Sequence, residues 1–343
     1  MKVLTYLDAV NCIKWAQTPI KWNSGFSAIG VHEGEVLSLA EDVNGLLSFV
    51  QLLQTPSGSF AIKYPGESHC ELNWLNPLKV NRREVDFYVT SSHQSNNTLP
   101  DVIAVNRQAG LTVMKFIDSG ASLNQLDGIS KDQLTQITKR LSQLHRDLSE
   151  LESCARVPFF GEGSEWENIF SDTRKHSASF INEFGSLFSE SSQEIIERLP
   201  TALPRIAEAA SKLQRSQTIC SMDMRADNII LSPEGPIFID WQFATTAPGA
   251  VDLAALLSTS SDINPEETHE VLRIYTESSG WDMTETISGF QVGLLTRTAF
   301  AIPVVMTLPH TTVRAQGLRT AAILRLSKLL NYFSAEILAR RWM

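Results

Sequence analysis

Three polar residues in one short stretch stand at spacings that suit the handling of a phosphate. Asp223 precedes Asn228 by five positions, and Asp240 closes an apolar hairpin. Ile229-Ile230-Leu231 is one apolar run, Ser232-Pro233-Glu234-Gly235 supplies turn chemistry, and Ile237-Phe238-Ile239 is a second run that Asp240 ends. Two buried strands joined by that turn carry Asn228 and Asp240 to the same end, with Asp223 on the loop leading in. A carboxylate can take the proton of an attacking hydroxyl. An amide oxygen and a second carboxylate are hard ligands able to hold magnesium against phosphates. The pattern therefore suits phosphoryl transfer from a nucleotide.

A lysine and a second carboxylate extend the pattern upstream. Lys63 follows Ala61-Ile62 on a strand expected over residues 59–64, where it either reaches into a cleft toward α- and β-phosphates or faces water. Residues 78–92 fit a helix with Val80, Glu84, Phe87 and Tyr88 near one face. Glu84 is then either the partner that fixes Lys63 or solvated surface like Arg82, Arg83 and Asp86.

Asp223-x4-Asn228 followed by an apolar strand ending in Asp240 resembles the catalytic and metal loops of the protein-kinase-like fold. MDMRADNIIL, then FIDWQFATTAPGAVDLAALL, is similar to the aminoglycoside phosphotransferase and choline kinase-like family, most specifically over residues 219–257. The resemblance implies an α+β, bilobal protein-kinase-like fold, with a small β-rich N-lobe and a larger helical C-lobe, and ATP and Mg2+ as cofactors. It implies Asp223 as catalytic base, Asn228 and Asp240 as metal ligands, and Lys63, held by Glu84, on the nucleotide phosphates. Arg225 either stabilises charge near the γ-phosphate or pairs with Asp227. The strand over 111–117 leads to the hinge whose backbone meets the adenine edge, which makes Met114, Lys115 and Phe116 the candidates there. Asp252 is expected to brace the loop of Asp223, and His145 to be packed scaffold. A partial resemblance to methylthioribose kinases rests on Gly66-Glu67-Ser68 before a basic helix and on Phe243-Ala244-x4-Gly249-x2-Asp252.

Three positions depart from these patterns. Ser221 stands where the family usually has a scaffold His. Methylthioribose kinases usually lack the Asn of Asn228 and have Glu in place of Gln242. Trp241-Gln242 after Asp240, and no Ala-Pro-Glu segment, argue against a protein kinase. The expected activity is ATP-dependent phosphorylation of a small-molecule hydroxyl: an aminoglycoside-like antibiotic, an amino alcohol or a sugar. The alternative is a nucleotide-binding pseudokinase or partner-binding module, favoured by Ser221, Gln242 and the single glycine, Gly45, of the hairpin expected over the phosphates.

The elements that must position these residues follow from patterning. Strands are expected over 36–39 and 46–53 around a turn at 41–45, and over 102–106 and 111–117. After residue 120 the chain reads as helical. Leu134, Ile137, Leu141, Leu144 and Leu148 make one stripe, and Ile323, Leu326, Leu330, Phe333 and Ile337 another. Trp166, Phe170, Phe180, Phe184 and Phe188 fit a core better than a substrate wall. Asn264-Pro265 starts a helix. The expected division is an N-terminal nucleotide-binding lobe with an extension over 1–117 and a helical lobe over 118–343.

Composition bounds the partners. The 343 residues are 43% hydrophobic with a net charge of −9, which supports a full core and argues against nucleic-acid or anionic-membrane partners. Residues 1–117 carry 9 Lys/Arg against 10 Asp/Glu, and the remainder 20 against 28, a balance compatible with a cationic acceptor or with solubility alone. Four scattered cysteines, Cys12, Cys70, Cys154 and Cys220, suggest reduced thiols and no zinc site. The first residues lack a signal-peptide core, and the longest apolar run, 299–306, contains Pro303 and is too short to span a membrane. These features lead us to expect a cytoplasmic protein.

Overall fold

Alternating apolar residues and turn chemistry build an antiparallel sheet at the N-terminal end of the computed structural model. The model describes residues 38–343 apart from 45–46, 56–57, 67–71, 93–96, 118–119, 124–126, 152–159, 261–263, 308–312 and 341. Strands β1 (Ser38–Asn44), β2 (Ser48–Thr55), β3 (Gly58–Pro65), β4 (Val102–Asn106) and β5 (Leu111–Lys115) lie in the order β1-β2-β3-β5-β4. Helix α1 (Pro77–Ser91) starts at Asn76, whose side chain accepts from the Lys79 amide, with Pro77 at its first position. Its Val80, Val85, Phe87 and Tyr88 are buried.

The turn expected at 41–45 is corrected. β1 continues to Asn44, and a register shift between Ala40 and Val43 absorbs Glu41 and Asp42 as an irregularity within the β1–β2 pair. Local turn propensity yielded here to ladder pairing with β2. The readings of Val36, Gly45, Glu67, Ser68, Cys12, Cys70 and Cys154 fall outside the described residues.

After the short strand β6 (Ala121–Ser122) the chain is mostly helical. Helix α2 (Lys131–Ser149) opens with a capping box of Ser130 and Gln133 and buries its leucine stripe. Helices α3 (Ser164–Phe184) and α4 (Glu190–Ser211) follow. Trp166, Phe180 and Phe188 are buried, and Trp166 stacks on Phe300 with centroids 5.5 Å apart, so this aromatic group is core. Strand β7 (Gln217–Cys220) pairs with β10 (Thr245–Pro248), and between them the hairpin of β8 (Ile229–Ser232) and β9 (Gly235–Phe238) adds β6 at its edge.

Four helices close the larger lobe: α5 (Val251–Leu257), α6 (Pro265–Ser279), α7 (Met283–Thr307) and α8 (Val313–Leu338). Asn264 caps α6, as its sequence indicates. Helix α7 is long and apolar enough to cross a membrane by length and composition, yet most of its apolar stretch is buried inside the fold. It packs backbone to backbone on α5. A Cβ at Gly293 would meet the Val251 carbonyl oxygen at 2.5 Å and its Cα at 2.7 Å, so only glycine permits this approach.

Candidate active site

The two lobes meet at Lys63. Its strand pairs it with Val50 and Thr112, and its side chain is buried. The ammonium lies 2.7 Å from Glu84 Oε2 and 2.7 Å from Asp240 Oδ1. Glu84 is buried on α1, and its other oxygen accepts from the Trp241 amide at 3.2 Å and the Tyr88 hydroxyl at 3.4 Å. Of the two readings open for Glu84, solvated surface is therefore ruled out. Burial works against the charge on Lys63, but Asp240 and Glu84 outweigh it and raise its pKa above the ordinary 10.5. Burial raises Glu84 above its usual 4.5, with Lys63 opposing. The Trp241 ring stacks on Phe87 of α1, with centroids 4.0 Å apart.

The loop of Asp223 is held from below. The carboxylate of Asp252, at the start of α5, accepts the Ser221 amide at 2.8 Å and the Met222 amide at 2.7 Å. His145 of α2 lies 3.3 Å from Asp252 Oδ2 and 2.7 Å from the Tyr275 hydroxyl. All three side chains are fully buried. Donor atoms of His145, Cys220 and Asp252 lie within 4.8 Å of one another, but each is hydrogen-bonded within the protein, and the cluster serves as a brace. Ser221, where a scaffold His was expected, contributes its amide to this brace, and its hydroxyl accepts from the Asp223 amide at 3.4 Å.

Asn228 faces the same point as Asp223. Its amide nitrogen donates to the Asp223 carbonyl at 2.8 Å, which fixes its oxygen as the atom it can offer a cation. The Ile239 amide donates to the Asn228 carbonyl at 3.0 Å, so the hairpin brings Asn228 and Asp240 to one end. Among the described residues, Met222 (φ 64°) and Asp240 (φ 63°) are the non-glycine residues in the left-handed region. Asp tolerates that region; Met does so only under constraint, here the Asp252 clamp.

Arg225 lies 3.1 Å from Asp223 Oδ2 and pairs with Asp223, while Asp227 adds a weaker attraction. A second guanidinium was not anticipated: Arg297 of α7 donates from Nη1 to Asp223 Oδ1 at 2.9 Å. The available signal was its isolation, since it is the sole charged residue between Glu285 and Arg314. Gln242 is also placed by tertiary contact. It is buried and donates to the Ser48 hydroxyl, which donates to Asn81 Oδ1 at 3.0 Å. The Gln242 side chain thus ties the segment after Asp240 to the sheet.

Met114, Lys115 and Phe116 lie at the end of β5 and just beyond it. The Lys115 amide donates to Asp101 O and the Phe116 amide to Ser59 O, each at 2.9 Å. Phe116 is exposed, and the Lys115 ammonium pairs with Asp101. A base edge would thus have to meet carbonyl oxygens of this stretch or backbone further along.

A five-stranded sheet joined to a larger helical lobe, with a buried lysine–glutamate pair at the junction, defines the bilobal protein-kinase-like class. The Phosphotransferase enzyme family (APH) matches residues 87–286, more than half of the sequence, and the chain belongs to that family. Solved structures share the fold. Choline kinase LicA from Streptococcus pneumoniae is 18% identical, with TM-score 0.51, over 86% of this chain and 94% of that one. A choline/ethanolamine kinase family protein from Mesorhizobium loti is 14% identical, with TM-score 0.54, over 96% and 98%. The streptomycin–ATP–APH(2'')-IIa ternary complex is 14% identical, with TM-score 0.51, over 94% and 99%. No curated protein matches the sequence.

Proposed function

We propose that the protein is an ATP-dependent kinase that transfers the γ-phosphoryl group to a hydroxyl of a small molecule. One observation carries the reading: Lys63 lies 2.7 Å from both Glu84 and Asp240, at the mouth of the loop bearing Asp223 and Asn228. A lysine so held is a fixed positive charge for nucleotide phosphates. Family membership and the ATP in the related ternary complex support a nucleotide donor.

In this reading Asp223 receives the acceptor's hydroxyl proton as that oxygen attacks the γ-phosphorus, and the bond to the ADP oxygen breaks. Arg225 stands beside the carboxylate, where it can balance charge as the phosphoryl group moves. Asn228 and Asp240 offer an amide oxygen and a carboxylate, a hard donor set that fits magnesium. The ion, when bound, neutralises charge on the phosphates. Lys63 steadies the α- and β-phosphates, and the backbone after Met114 meets the base. We assign nucleotide binding to the lobe up to residue 117 and the acceptor to the rest. Aminoglycosides, amino alcohols and sugars are the acceptor classes to test.

The experiment is a kinase assay with Mg-ATP against those classes and against small hydroxyl compounds bearing a carboxylate or phosphate, with detection of the added phosphate by mass. Transfer to any member supports the reading. Nucleotide binding without transfer to any member would instead support the pseudokinase alternative.

A further inference from the structure

The residue that meets Asp223 from the helical lobe is the least expected by composition. Within α7, Arg297 is surrounded by buried neighbours: Leu294, Leu295, Thr296, Thr298 and Ala299. A guanidinium placed there is partly desolvated, a cost that buried charge bears only where it is paired or used. Its side chain is 20% exposed and bonds Asp223 Oδ1 through Nη1. That contact engages one of five N–H donors. Among the described residues, Arg297 makes no second side-chain hydrogen bond.

The charges nearest the incoming hydroxyl are therefore two guanidiniums around one carboxylate, since Arg225 faces the other oxygen of Asp223. Of the other carboxylates, Asp240 and Asp227 act on Arg225, Asp240 also holds Lys63, and Asp172 accepts from the Trp74 indole at 3.1 Å, while among the described residues the ion pair of Arg297 is with Asp223. A cationic acceptor would approach two fixed positive charges, whereas an anionic one would find an open guanidinium fork that matches oxyanions.

We propose that Arg297 is a specificity-determining residue that receives an anionic group of the acceptor, a carboxylate or phosphate, close to the hydroxyl that is phosphorylated. This rests on the kinase reading above. It runs against the acidic balance of the lobe as a whole, because surface charges beyond about 10 Å are screened while partly buried neighbours are not.

Four small hydroxyl compounds test it: glycerate, glycerol 3-phosphate, glycerol and choline. Each is titrated calorimetrically into the protein saturated with a Mg-bound, non-hydrolysable ATP analogue. At least one of the two anions should bind about tenfold or more tighter than glycerol and choline. Arg297→Gln should abolish that preference while analogue affinity stays within about twofold, and Arg297→Lys should keep part of it because it keeps the charge. A purely structural role would weaken all four compounds alike. Choline binding tighter than both anions, no binding of either anion, or an intact preference in Arg297→Gln would each overturn the proposal. Failure of the analogue itself to bind would overturn the kinase reading as well, whereas analogue binding with a choline preference defeats only the role given to Arg297.

Discussion

Asp223 and Asp240 are carboxylates at one cleft with different neighbours, and in the proposed reaction they should fail differently. Asp223 faces two arginines and the acceptor, so Asp223→Asn should keep Mg-ATP affinity within a few-fold while kcat falls by on the order of 100-fold or more. Asp240 faces Lys63 and the metal position, so Asp240→Asn should weaken Mg-nucleotide binding and the rate together. Calorimetry with the analogue and turnover on a found acceptor compare them. Nucleotide binding lost in Asp223→Asn but kept in Asp240→Asn would reverse the roles. Lys63 makes a separate prediction. Its raised pKa means that its ion pairs contribute fully below the unfolded value of 10.5 and are lost as pH rises through the higher folded value. Stability of Lys63→Met should therefore fall less steeply than wild type as pH rises above 10.5. Parallel curves from urea melts would remove the lysine from that limb.

At the scale of elements, two contacts set where the loop and α7 lie. Asp252 accepts the amides of both Ser221 and Met222 from the first turn of α5. Asp252→Ala would leave those amides and the Nε2 of His145 unpaired in the core, and should cost about 2–4 kcal/mol of stability by urea denaturation. It should also lower kcat more than it raises KM for ATP. A loss under about 0.5 kcal/mol would show that the brace is replaceable. Gly293→Ala places a methyl against the Val251 backbone, which cannot rotate away as a side chain would. We expect a loss of about 1–3 kcal/mol and a lowered melting temperature. Because Arg297 is one turn further along α7, its contact with Asp223 should loosen, and turnover should fall as well.

At the scale of the molecule, polar contacts tie the two lobes together at several points. Lys63 meets Asp240, Gln242 meets Ser48, and Arg83 of α1 pairs with Glu165 at the start of α3. Against the solvated surface expected of Arg83, the Arg83–Glu165 pair is partly buried; it lies outside the Lys63 cluster, so it can be removed without touching that chemistry. A double-mutant cycle of Arg83→Met and Glu165→Gln should give a coupling of about 0.5–1 kcal/mol in stability. The ATP KM of either single variant should rise. Zero coupling with an unchanged KM would mean that the pair does not help hold the lobes together.

Legible in the sequence alone were the hairpin of residues 229–238, the helix start at Asn264, and the apolar stripes of α2 and α8. Each depends on turn, cap or periodic signals within a few residues. The sequence also made the family legible, because Asp223, Asn228 and Asp240 are positioned by one local loop and hairpin. Turn-like residues Glu41 to Asn44 misled, since ladder pairing with β2 outweighs local turn preference and a bulge absorbs the extra residues. Packing between the lobes is what buries Glu84 against Lys63 and brings Lys63 to Asp240 across 177 positions. Only the tertiary structure brought Arg297 to Asp223 across 74 positions. Such contacts depend on how closely whole helices approach, and here on the missing Cβ of Gly293. That distance is fixed by packing summed over many side chains, so no single stretch of sequence records it.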